Sequence, residues 1–138
     1  MLRCTNNWKA NCVLLHNILE RYFADIEAAV TQLPAYAENY VEEILTPERA
    51  NLRIRLRFQS GGLLEINEAI IVENGVINTL GYRYHLQRSG NELIFRYDNT
   101  PHFPDLPSFP HHKHLRNTVV ASGKPDLLDV LQEAKINS

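Results

Sequence analysis

A chain of 138 residues with 44% apolar and 22% charged side chains can bury one real core and is short for two. Fourteen Lys and Arg against sixteen Asp and Glu give a formal charge of −2, which argues against non-specific nucleic-acid binding through bulk charge. No apolar run approaches the roughly 18 residues of a membrane span, and no signal-peptide core opens the chain. Cys4 and Cys12 lack zinc-type partners and are too few for a disulfide scaffold, so the expectation is a reduced, cytoplasmic domain.

Residues 1–12 are polar and aperiodic, broken by Asn6, Asn7 and Asn11, and read as a flexible arm ahead of a single domain over residues 13–138. In residues 13–33, Leu14, Leu15, Ile18, Leu19, Tyr22, Phe23, Ile26, Ala29, Val30 and Leu33 recur at steps of three and four. That spacing marks one stripe of an amphipathic helix. Pro34 ends it, because its nitrogen cannot donate to the helical ladder.

The period then changes. Residues 36–44 read as a strand closed by Thr46-Pro47. In residues 52–58, Leu52, Ile54, Leu56 and Phe58 alternate with Arg53, Arg55 and Arg57, the signature of a half-buried strand. Residues 63–72 are mostly apolar on both faces and predict a central strand. Strands over 77–87 and 92–98 follow, with Asn74-Gly75 and Ser89-Gly90 supplying turn residues.

Pro101, Pro104, Pro107 and Pro110 then recur every third residue, the spacing of a stiff polyproline II segment over residues 100–113. Residues 115–120 suggest a sixth strand. Pro125 opens a C-terminal helix reaching Ala134, with Asp126 and Asp129 in its first turn and Lys135 at its end, as the macrodipole favours. The predicted fold is α+β: an antiparallel meander of five to six strands with an N-terminal and a C-terminal helix on one face.

Two-residue hairpin loops predict a register. Arg83 falls opposite Arg96, Tyr84 opposite Phe95, and Glu68 opposite Gly81. One face then carries Leu52, Ile54, Leu56, Phe58, Tyr82, Tyr84, Leu93, Phe95 and Tyr97, with Glu65 and Asn67 among them, and packs under the helices. The other carries Arg53, Arg55, Arg57, Glu68, Arg83, His85, Arg96 and Asp98. A one-residue bulge would flip part of this assignment. Facing arginines are unfavourable and call for a carboxylate or an external anion.

Four of six histidines, His102, His111, His112 and His114, lie within thirteen residues after Arg96-Tyr97-Asp98-Asn99. Imidazole exchanges protons near neutrality and ligates transition metals. Residues 25–48 hold six acidic and no basic side chains, so the near-zero net charge conceals an acidic side and a basic side. Phosphodiester chemistry needs a base, an acid and fixed cations. Glu68 is the expected base, His102 or His114 the acid, and Arg83 and Arg96 the phosphate clamp near Asp98, with no metal required. Arg55, Arg57, His85 and Lys113 would extend an RNA-binding track. The alternatives are a hydrolase holding a divalent transition metal through His102, His112 and His114, with Asp98 a further candidate ligand, and a non-enzymatic protein-binding module.

The segment Arg96-Tyr97-Asp98-Asn99-Thr100-Pro101-His102, followed by Phe109-Pro110-His111-His112-Lys113-His114, resembles the TumE-type toxins of bacterial and archaeal toxin–antitoxin modules. Tyr82-Arg83-Tyr84-His85 and Leu64-Glu65-Ile66-Asn67-Glu68 resemble that family's middle strands. The likeness covers roughly residues 22–136. It implies a small cytoplasmic toxin partnered by a cognate antitoxin encoded beside it. The RNA-cleaving endoribonuclease expectation rests on the site residues together with the habit of many small toxins to cleave RNA. The exposed edge at residues 36–44 invites a homodimer.

Overall fold

A computed structural model describes residues 9–138, with side chains described from Ile18 onward. The elements in chain order are α1 (Lys9–Thr31), β1 (Ala35–Thr46), β2 (Arg49–Phe58), β3 (Leu63–Glu73), β4 (Val76–Gln87), β5 (Leu93–Asp98), β6 (His112–Leu115), β7 (Thr118–Ala121) and α2 (Leu127–Asn137). The seven strands form one sheet in the order β1 to β7, each pairing antiparallel with the next. The expected sixth strand is a hairpin of two strands turning at Arg116-Asn117. Helix α1 begins at Lys9, inside the segment expected to be a loose arm; the arm's residues 1–8 lie outside the described residues.

Both helices press their apolar stripes onto one sheet face. Leu19, Phe23 and Ile26 of α1 and Leu127, Val130, Leu131 and Ala134 of α2 join one buried cluster with Leu52, Ile54, Leu56, Phe58, Tyr84, Leu86 and Phe95. Burial of each large side chain is worth about 1.5–3 kcal/mol. Asp126 caps α2 by accepting a hydrogen bond from the Leu128 backbone N–H at 2.9 Å. The N-terminal half of the macrodipole therefore meets a carboxylate as the sequence predicts.

The register differs from expectation at β3. Phe58 and Gly62 close the β2–β3 turn around three residues rather than two, with Gly61 at φ +92° taking the left-handed position. On the other side of β3, Ile70 pairs with Thr79 but Ala69 pairs with Gly81, so Leu80 is an extra, bulged residue. Each insertion rotates β3 by one residue against a neighbour, while β2 and β4 keep their expected relation to each other. Leu64, Ile66, Glu68, Ile70 and Val72 therefore face the helices, and Glu65 and Asn67 face away. The expectation for Glu68 is overturned.

The β4–β5 hairpin slips by two residues. Its loop holds Ser89, Gly90 and Asn91, with Asn91 at φ 67°, and a further bulge lies at Leu86/Gln87. Arg83 thus pairs with Asp98 and His85 with Arg96, so the predicted Arg83–Arg96 opposition does not exist. A slip of two preserves the face of every side chain.

The proline segment is not polyproline II, which has no internal hydrogen bonds. The Leu106 N–H donates to the Phe103 carbonyl at 3.2 Å and the Phe109 N–H to the Leu106 carbonyl at 3.0 Å. Pro104 and Pro107 thus sit at the second position of successive turns, where their fixed φ is favoured. A third turn, over Ser108 to His111, contains the cis Phe109–Pro110 bond.

Candidate active site on the open sheet face

The face turned away from the helices is a polar grid. Across the sheet, one row runs Arg55, Glu65, His85, Arg96, His114, and the next runs Arg53, Asn67, Arg83, Asp98, His112. Residues two apart on a strand share a face, so both rows present their side chains together.

The arginine end of this grid is largely self-compensated. Glu38, the extra residue at a β1 bulge, accepts from Arg55 at 3.1 Å and Arg57 at 3.2 Å. Glu65 accepts from Arg55 at 2.7 Å and Arg83 at 3.3 Å. Arg55 and Arg57 hold the Glu38 carboxyl below its ordinary range. The expected RNA track through Arg55 and Arg57 is thus a surface ion-pair ladder. Arg53 pairs with no carboxylate among the described residues; it borders a depression of about 260 Å³ with Asn67, Ala69, Gly81 and Arg83.

The histidine end is different. Asp98 and His112 are buried, and His114 is half-buried beside them. His112 Nε2 lies 3.0 Å from Asp98 Oδ1 and 3.0 Å from His114 Nε2, and His114 Nε2 lies 3.5 Å from Asp98 Oδ2. Each group is held from behind. His112 Nδ1 bonds the Pro110 carbonyl at 3.0 Å, the Thr100 N–H donates to Asp98 Oδ1 at 2.9 Å, and the Phe103 ring stands edge-on to both imidazoles. Burial and then the Arg96 charge push the His114 pKa down. Burial likewise lowers that of His85, whose Nε2 lies 2.9 Å from Gln87 Oε1. Both imidazoles are therefore neutral at pH 7.

Arg96 stands next to this cluster. Its Nε is 3.9 Å from Asp98 Oδ2, too long for a hydrogen bond, and is buried without a hydrogen-bond partner among the described residues. The side chain as a whole is one-third exposed, so its guanidinium can still meet an anion on the open face.

Glu68 and Lys113, both expected at the site, lie elsewhere, and His111 and His102 stand outside the cluster. Glu68 is sealed beneath the sheet, where the hydroxyls of Tyr22, at 2.5 Å, and Tyr84 donate to its two carboxylate oxygens. Lys113 also faces the helices: it pairs with Glu133 of α2 at 3.2 Å and lies 4.6 Å from the Tyr97 ring centre. His111 stacks on Tyr82, with Nδ1 2.9 Å from its hydroxyl. His102 is exposed, its ring 6.4 Å from that of Phe103, and close enough for its charge to reach His114. Of the two metal sets expected from the sequence, His112 and His114 with either His102 or Asp98, the structure gathers the one with Asp98. Glu65, Phe103 and Glu133 were missed. Glu65 alone had a sequence signal, since Leu64, Ile66, Ile70 and Val72 share the opposite parity.

A two-helix cover over one face of a seven-stranded meander, with a histidine–aspartate cluster on the other, defines a small α+β protein with an open polar site. The family model described as toxin TumE matches residues 20–136, so the chain belongs to the TumE toxin family. It thus belongs to a family of toxins of toxin–antitoxin modules, which implies an antitoxin partner. No curated protein and no solved structure matches it. Among the described residues, no helix is long and apolar enough to cross a membrane.

Proposed function

We propose that this toxin acts on RNA, cleaving phosphodiester bonds on the open face of β4, β5 and β6. The observation that carries this reading is Arg96, a one-third-exposed guanidinium standing beside the Asp98–His112–His114 cluster with no carboxylate in hydrogen-bond range of its Nε among the described residues. Cleavage requires cations fixed around a phosphorane and a group that activates the attacking hydroxyl. Arg96 contacts a phosphate oxygen, and Arg83, one row away and half-exposed, contacts the next. The cluster activates the nucleophile. His102, exposed at the rim, donates the proton to the leaving oxygen. Neither Glu68 nor Lys113 takes part.

Incubation of the full chain with total RNA, in buffer containing trace divalent metal, checks this. Discrete fragments from wild type are expected, with losses of ~100-fold or more in Arg96→Ala and His102→Ala. An intact RNA population after incubation with folded wild type, or cleavage unaltered in both variants, would overturn it.

A further inference from the structure

We propose that Asp98, His112 and His114 hold one divalent transition-metal ion. The inference concerns the same site as the RNA reading, but rests on its geometry alone. His112 Nε2 lies 3.0 Å from Asp98 Oδ1 and 3.0 Å from His114 Nε2, and His114 Nε2 lies 3.5 Å from the other carboxylate oxygen, Oδ2, so one ligand atom from each residue falls within 4.8 Å of the others. Ligands about 2.0–2.1 Å from a zinc ion stand about 3.3 Å apart at the corners of a tetrahedron. The three donors are thus gathered at the spacing of a coordination shell before any ion is added.

The orientation of the ring points the same way. The His112 Nδ1 faces a backbone carbonyl, which can only accept, so that nitrogen carries hydrogen. This turns Nε2 toward the Asp98 carboxylate, 3.0 Å away, and toward His114. The Pro110 carbonyl and the Thr100 N–H behind the cluster are the outer supports that orient imidazole and carboxylate ligands in metal centres.

Two imidazoles and a carboxylate select zinc, manganese, iron, cobalt or nickel over magnesium, which prefers all-oxygen surroundings. Three protein ligands leave a coordination position open, as catalytic zinc sites do. Arg96 then gains a rationale. A dication next to a guanidinium leaves surplus positive charge, which an anionic ligand such as a phosphodiester neutralises.

The test uses the full chain carrying Cys4→Ser and Cys12→Ser, so that no thiol competes, stripped with EDTA and titrated calorimetrically with zinc chloride in the absence of RNA. One equivalent of zinc is expected, with a raised melting temperature and no response to magnesium chloride. Replacement by cobalt should produce a visible absorption band. Asp98→Asn and His114→Gln should each weaken zinc binding by more than ~10-fold, while His102→Ala leaves it unchanged. His114 is half-buried on a short strand, so its variant is the one expected to keep the fold. Absence of stoichiometric zinc in folded wild type would overturn the proposal. So would affinity that survives both Asp98→Asn and His114→Gln, or that vanishes with His102→Ala. Uptake is read without RNA, so its failure and the failure of the RNA reading are separate results.

Discussion

Glu68 distinguishes a structural carboxylate from a catalytic one, and the distinction is measurable. It is 4% exposed, and its oxygens accept from Tyr84, which is fully buried, and from Tyr22 of α1. The pair of bonds ties β3 to both β4 and the N-terminal helix. Burial first, and then the Glu68 charge, raise the pKa of both tyrosines, so both remain protonated donors. Tyr84→Phe deletes one charge-assisted bond while keeping the ring, at a cost of about 1.5–3 kcal/mol. For a chain of this length, roughly 4 °C of melting temperature accompanies each kcal/mol, so a fall of about 6–12 °C is expected. Glu68→Gln should fall comparably, because its amide presents a donor to a hydroxyl that needs an acceptor. The double variant should fall by less than the sum, since both changes break the same bond. Melting of the purified full chain checks the magnitudes, and growth arrest at a temperature below each midpoint checks function. A midpoint within about 1 °C of wild type together with loss of growth arrest would refute the structural assignment and return Glu68 to the chemistry.

Lys113→Met should lower stability by about 1 kcal/mol, through loss of the Glu133 pair and the contact with the Tyr97 ring, yet leave RNA cleavage unchanged; urea denaturation and the fragment assay read the two effects. Glu65→Gln should shift stability by no more than about 0.5 kcal/mol, because its ion pairs are solvent-exposed. The same change frees Arg83 and loosens Arg55, which keeps Glu38, so RNA retention in a gel-shift assay should tighten at low salt and fall more steeply as salt rises. Stability should fall as pH drops below about 6.5: the folded state holds His85 and His114 neutral, and the unfolded chain binds their protons first. It should fall again above about pH 10, because the unfolded chain releases tyrosine protons that the fold retains. Burial pushes Tyr40 up to about 12, and it raises Tyr22 and Tyr84 further. Equilibrium unfolding across both ranges checks the two limbs.

Long, strongly periodic elements were legible because burial on one face imposes its period on the residues. The helix stripe through Leu19, Phe23 and Ile26 and the alternation from Leu52 to Phe58 are examples. The proline segment was not legible, because spacing of three fits two different structures. In Phe103-Pro104-Asp105-Leu106 and Leu106-Pro107-Ser108-Phe109, the polar residue after each proline marks a turn, and that signal outranks the proline period. The tightness of the Asp98 cluster was also invisible. It depends on β6 returning beside β5 with His112 opposite Asp98 and His114 opposite Arg96, a pairing that thirteen intervening residues leave open.

The site itself shows which register errors matter. Between β4 and β5 the hairpin is longer than its turn residues suggest, and a bulge adds one more residue; the sum is two, so Arg83, His85, Arg96 and Asp98 all stay on the open face. Around β3 the insertions come singly, one in the β2–β3 turn and one within β4, and a single residue exchanges Glu65 for Glu68. The apolar pattern of β3 alone decides between them. Its even positions are Leu64, Ile66, Ile70 and Val72, and a sheet covered by helices on one side buries the more apolar parity. Face burial therefore overrides turn counting wherever the two disagree. That same preference leaves a carboxylate at position 68 under the helices, where the two tyrosine hydroxyls make its burial tolerable.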